Sequence, residues 1–146
     1  MVQITFSCDG SSLSEANPLD FGTVLAGDES EVKTITVTNS GDSDAEQCTI
    51  TPIEASTTNG FATTTQTGTA AETYNAQTFS SDATITSATV WYPKAYIGAS
   101  ASYPDSLGGT IASNGGSASF STKWSPPSTA TAGNKIWGNE FSCVYV

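Results

Sequence analysis

The chain has 146 residues, with 14 acids against four Lys, no Arg and no His, for a net charge of −10. That balance excludes phosphate-contact binding of nucleic acid, which needs a basic stripe, and attraction to an anionic membrane surface. Without His or Arg the commonest general base and the bidentate phosphate clamp are missing, and no Ser-His-Asp or Cys-His arrangement can be built.

Hydrophobic residues make up 37% of the chain and charged residues 12%, while Ser and Thr together reach roughly 30%, a polar but uncharged make-up suited to pleated surfaces. A single domain over 1–146 with a real core is expected. Eleven of the 14 acids lie at or before Glu72, so the first half carries most of the field. The opening MVQITFSC lacks the basic and apolar regions of a signal peptide, and no targeting segment is expected. No run approaches the roughly 20 apolar residues that span a bilayer, and no Asn-x-Ser/Thr sequon occurs.

In chain order, Val2, Ile4, Phe6 and Cys8 alternate with Gln3, Thr5 and Ser7, which predicts a first strand ended by Asp9-Gly10-Ser11-Ser12. Pro18 to Gly41 reads as two short strands around the acidic bend Asp28-Glu29-Ser30-Glu31. Leu19, Phe21, Val24 and Leu25 form the first, and Ile35 and Val37, alternating with Thr34, Thr36 and Thr38, form the second. Gln47–Ala55 follows, with an inward set that moves from Cys48 and Ile50 to Ile53 and Ala55. Pro52 lies at the switch and predicts a bulge or an edge position.

The Thr-rich tract from Ala62 to Ser81, anchored by Tyr74 and Phe79, predicts one or two weak edge strands with a loop. Ala83–Tyr92 predicts a stronger strand stopped by Pro93, and Ala95, Ile97, Ala99, Ala101 and Tyr103 alternate down to Pro104. The turn-rich 105–116 leads to the cleanest alternation in the chain, Ala118, Phe120, Thr122 and Trp124. The last strand lies within Lys135–Val146, with Trp137, Phe141, Cys143 and Tyr145 on one face. No helical period persists for the needed 10 to 12 residues, and no internal repeat is present.

Leu19-Asp20-Phe21-Gly22, Gly27, Thr34 to Asn39 and Gly41 resemble the opening of bacterial immunoglobulin-like sandwich domains of the ASPM-SPD-2-Hydin type. Phe61 falls about where that family has its next core aromatic. A strand ending in Trp124-Ser125-Pro126-Pro127, then a loop with Gly133 and a long last strand, is also similar to it. The resemblance covers 18–61 and 117–145, with residues 62–116 as a β-rich central insertion. It implies an all-β, immunoglobulin-like antiparallel β-sandwich with two sheets sharing a core about 10 Å thick, the insertion extending one sheet or sitting over one end.

Three candidate sites follow. Asn39, Asp42, Asp44 and Glu46 crowd one turn and offer the hard oxygens calcium takes, without the EF-hand Gly and distal Glu. A solvated acidic turn with no cofactor is the default there. Trp91, Tyr92, Tyr96 and Tyr103 fall in the insertion, where Tyr92 and Tyr96 flank Pro93-Lys94 and predict rings exposed together as interface anchors. Trp91 is read first as core. Cys8, Cys48 and Cys143 each sit on the apolar side of a strand. They are buried thiols, unless Cys8–Cys143 bridge the first and last strands or an intermolecular bridge forms.

No enzyme is expected. Similar immunoglobulin-like domains occur on tailed-phage virions, which implies a structural protein of a bacteriophage particle: a capsid decoration or a tail- or fibre-associated protein. It would bind the major capsid protein or another virion lattice through protein–protein contacts, as a monomer or homo-oligomer. The alternatives are an extracellular adhesion or carbohydrate-binding module of a cell-surface or pilus protein, and a scaffold domain that binds peptides by strand addition.

Overall fold

The computed structural model describes residues 1–82, 84–101 and 108–145. The chain is all-β, a sandwich of two antiparallel sheets. Its strands are β1 (Ile4–Cys8), β2 (Ser11–Ser12), β3 (Lys33–Asn39), β4 (Ala45–Ile53), β5 (Gln77–Ser80), β6 (Ala95–Tyr96), β7 (Gly116–Trp124) and β8 (Gly138–Tyr145). One sheet has the order β2-β1-β3-β7-β5 and the other β6-β4-β8.

Where alternation is cleanest, the strands form as the sequence predicts. Phe6, Val37 and Ala118 stand in one row across β1, β3 and β7, and Ile35 opposes Phe120 in the next. These side chains point inward, while Thr36 and Ser119 face out and bond hydroxyl to hydroxyl at 3.2 Å. The core gathers Ile35, Val37, Phe79 and Phe120 from the larger sheet against Ala45, Cys48, Ile50 and Ala95 from the smaller one. Residues 62–116 supply an edge strand to each sheet, β5 to the larger and β6 to the smaller.

Three expected strands are absent or shortened, each for a local reason. Leu19–Leu25 is loop. Asp20 accepts the Gly22 amide at 2.7 Å, and Gly22 takes φ +77°, a turn that strand geometry cannot continue. Leu25 is consequently 71% exposed. Residues 84–91 form no strand, because Thr86 and Thr89 satisfy each other's backbone in a hydroxyl-closed turn. Beyond Tyr96 the alternation fails at Gly98 (φ +101°) and Ser100 (φ +68°), and among the described residues of this run an isolated bridge joins Ala99 to Thr110.

The bulge in β4 is also displaced from its predicted place. It falls between Glu46 and Thr49, where Gln47 has φ +54°. Pro52 keeps its pairing with Asn139. Its missing donor is tolerated because β6 reaches only Thr49 and Ile50.

Candidate interaction site

Trp91, Tyr92 and Tyr96 do not form one exposed group. Trp91 is half-buried, with the Lys123 Nζ 4.4 Å above its ring. Tyr92 is half-buried, and its backbone exchanges two 2.8 Å hydrogen bonds with Phe79, closing the outer edge of β5. Tyr96 is only 6% exposed, with Lys94 Nζ 5.1 Å from its ring centre. The expected joint exposure of Tyr92 and Tyr96 is therefore corrected, since pairing of Ala95–Tyr96 with Ile50–Thr49 draws Tyr96 into the smaller sheet. Tyr103 lies outside the described residues.

The acidic turn is spent on the chain's own donors. Asn39 is fully buried; its Oδ1 accepts the amides of Gln3 and Gly41, and its Nδ2 donates to the carbonyls of Ser43 and Ile111. Asp42 holds the Met1 amino group, and that contact lowers its pKa. Asp44 accepts the Ser113 amide at 2.8 Å, which lowers its pKa too. Glu46 is half-buried on β4. Among the described residues no three acidic, His or Cys side chains converge. Cys8, Cys48 and Cys143 are free thiols. Cys8 stands on the larger sheet and Cys143 on the smaller one, and burial raises the pKa of all three.

What the fold assembles instead lies at the end of the sandwich where β3 begins and β4 ends. A cavity of about 1140 Å³ opens between the sheets there, under the loops 13–26, 61–64 and 130–137. Phe21 stacks on Trp137 at 5.9 Å and 7°, and Trp137 meets Trp124 at 5.3 Å. Buried Gln77 locks this group, accepting from Trp137 Nε1 at 2.8 Å and donating to Thr122 Oγ1 at 3.0 Å. Gly138 lets the Phe61 ring approach, since a Cβ there would collide with it. The sequence signal for these residues was the family-like Phe21 and Phe61 together with the inward Trp124 and Trp137. Only the loop geometry shows that they surround a space.

Two carboxylates pin the loops around that cavity. Glu15 accepts the amides of Thr63 (2.8 Å), Thr64 (2.7 Å) and Ala62 (3.2 Å), and these bonds, Thr63's foremost, bring its pKa to about 2. Glu72, 5% exposed, accepts from the Thr131 amide and hydroxyl and the Thr69 amide, and pairs with Lys135 at 3.3 Å. The Thr131 amide contributes most in lowering its pKa to about 2. Both groups sit below their ordinary value of 4.5, so their stabilisation is full above that pH and fades as pH falls toward 2. The midpoint of thermal unfolding should therefore drop steadily between pH 5 and pH 2, and less steeply in Glu72→Gln. A melting temperature flat across that range would show that these bonds do not form in solution.

The sheet edges differ in how they are protected. β2 and β6 are two residues each, and β5 is closed by Tyr92. β8 runs for eight residues, pairs on one side with β4, and among the described residues no backbone hydrogen bond reaches its other side. It carries neither Lys nor Pro, and it runs from the cavity, which Gly138, Asn139 and Phe141 line. No protein-family model, no curated protein and no solved structure matches the chain.

Proposed function

We propose that this chain is a non-enzymatic structural protein of a virus particle. In this reading it is a capsid decoration or tail- or fibre-associated protein of a tailed phage, bound to a lattice of virion proteins. The virion assignment rests on the immunoglobulin-like resemblance of residues 18–61 and 117–145. The observation that carries the non-enzymatic, structural part is the use of the carboxylates. Among the described residues Glu15, Asp42, Asp44 and Glu72 are the acids whose pKa is clearly lowered, and each holds backbone or terminal donors from a distant segment. Acid–base work needs a carboxyl with a pKa near the working pH; these four are driven the other way and tie loops down. A rigid sandwich with pinned loops suits a building block whose partner is a preformed surface.

The purified chain should co-sediment with empty particles of the virus whose genome encodes it, with no added metal. A chain that stays in the supernatant at saturating particle concentration would reject the reading.

A further inference from the structure

We propose that β8 is an acceptor edge for an extended segment of a partner protein, one that alternates apolar and basic side chains. The inference rests on the reading of this chain as an interaction protein, and it names the surface and the chemistry of the contact.

The four sheet edges are not alike. Natural sheets blunt their free edges by shortness, charge, proline or cover. Three edges here are short or covered, whereas β8 is eight residues long, has no cover among the described residues, and carries a single charge, Glu140. No backbone hydrogen bond from the described residues reaches the outer side of β8, and its N–H and C=O groups there form a row that a further strand can complete. β8 also borders the cavity. Phe141 faces inward from β8 and meets Phe6 of the opposite sheet edge to face at 5.7 Å. Leu13 and Leu19 are partly buried at the same core and line the same cavity. A strand added beyond β8 would send every second side chain toward this apolar wall and the alternate ones outward.

Charge selects the occupant. Glu140 is exposed on β8 itself, and Glu15 and Asp20 stand at the cavity mouth. None of the four lysines lies on β8: Lys135 is paired with Glu72, Lys123 with Glu29 and Lys33 with Glu31, and Lys94 stands by Tyr96 of β6, at the opposite edge of the smaller sheet. The one charge on the edge is therefore the acid Glu140, on a chain of net charge −10. A second copy would bring the same sign of charge, whereas Lys or Arg on the outward positions of an incoming strand would lie across from Glu140.

The test uses the full chain and a capped nonapeptide, Lys-Val-Thr-Val-Lys-Val-Thr-Val-Lys, with a control in which Glu replaces each Lys. Amide hydrogen exchange should slow by about tenfold or more in β8 on adding the Lys peptide, with little change in β3 or β7. Glu140→Lys, an exposed change that leaves the core alone, should weaken the Lys peptide several-fold and let the Glu peptide bind. No protection of β8, or equal protection by both peptides, overturns the proposal. So does β8 protection that grows with protein concentration without peptide, which would make a second copy the occupant. Particle binding that survives peptide failure would leave the functional reading intact and place its contact elsewhere. Peptide binding without particle binding would do the reverse.

Discussion

Asn39→Ala is expected to lower the unfolding free energy by about 2–6 kcal/mol, from two or more buried polar groups left unpaired at about 1–3 kcal/mol each. Asn39 is 0% exposed at the end of β3. Its Oδ1 accepts from Gln3 at 3.2 Å and from Gly41 at 3.1 Å, and its Nδ2 donates to Ser43 at 2.8 Å and to Ile111 at 3.2 Å. One side chain thus ties β3 to the segment before β1, to its own following turn, and to the chain that enters β7. Alanine keeps the backbone and removes all four bonds at once. Asn39→Asp should also destabilise, because it keeps the acceptor, loses the donor and buries a charge. Urea denaturation reads the effect as a lower midpoint at unchanged slope. A loss below about 1 kcal/mol would mean that water replaces the amide and that this end of the sandwich is open.

Phe79→Ala should cost about 3–5 kcal/mol, the range for truncating a fully buried aromatic whose surroundings relax only in part. The strand that holds it is four residues long at the edge of the larger sheet, a place where a modest effect would ordinarily be expected. Phe79 is nonetheless 0% exposed. Its ring lies 5.8 Å from that of Phe120, and its amide and carbonyl are both taken by Tyr92. Leu25→Ala is the matched control: an exposed leucine in a loop should change stability by no more than about 0.5 kcal/mol. Equal losses at the two positions would contradict the sandwich core described here. Because Phe79 also lines the cavity, a loss at the upper end of the range would point to a space that does not collapse.

The two effects show what kind of information each residue carried in the sequence. Phe79 was legible as an anchor because it and Tyr74 are the large side chains of a Thr-rich tract. Asn39 was read for its oxygens as part of a cation site. That reading could not foresee Ile111, 72 residues away, whose carbonyl uses the amide. Carboxamides and carboxylates have the same appearance in a turn whether they face water or the chain, and partners decide between the two. The joint exposure of Tyr92 and Tyr96 failed for a related reason. Tyr92 and Tyr96 flank a turn, but backbone pairing to Phe79 and to Thr49 sets each of them separately.

The sequence by itself determined the fold class and the strands with strict alternation. Period-two burial is a local property: β1, β3, β7 and β8 each carry an apolar face that only a sheet can bury. It also determined which chemistry is missing, since a residue type that is not in the chain cannot be supplied by folding. Which apolar runs became strands was settled by local turns that composition does not reveal: Leu19–Leu25 and Ala83–Tyr92 had the composition of strands, but turn bonds at Asp20–Gly22 and Thr86–Thr89 interrupt them. Tertiary structure alone decided that Glu15 and Glu72 hold loops over a space walled by Phe21, Trp124 and Trp137, and that among the described residues no backbone hydrogen bond reaches the outer side of β8. Pairing partners, burial and free edges depend on residues far apart in the chain, and no local pattern encodes the distance between them.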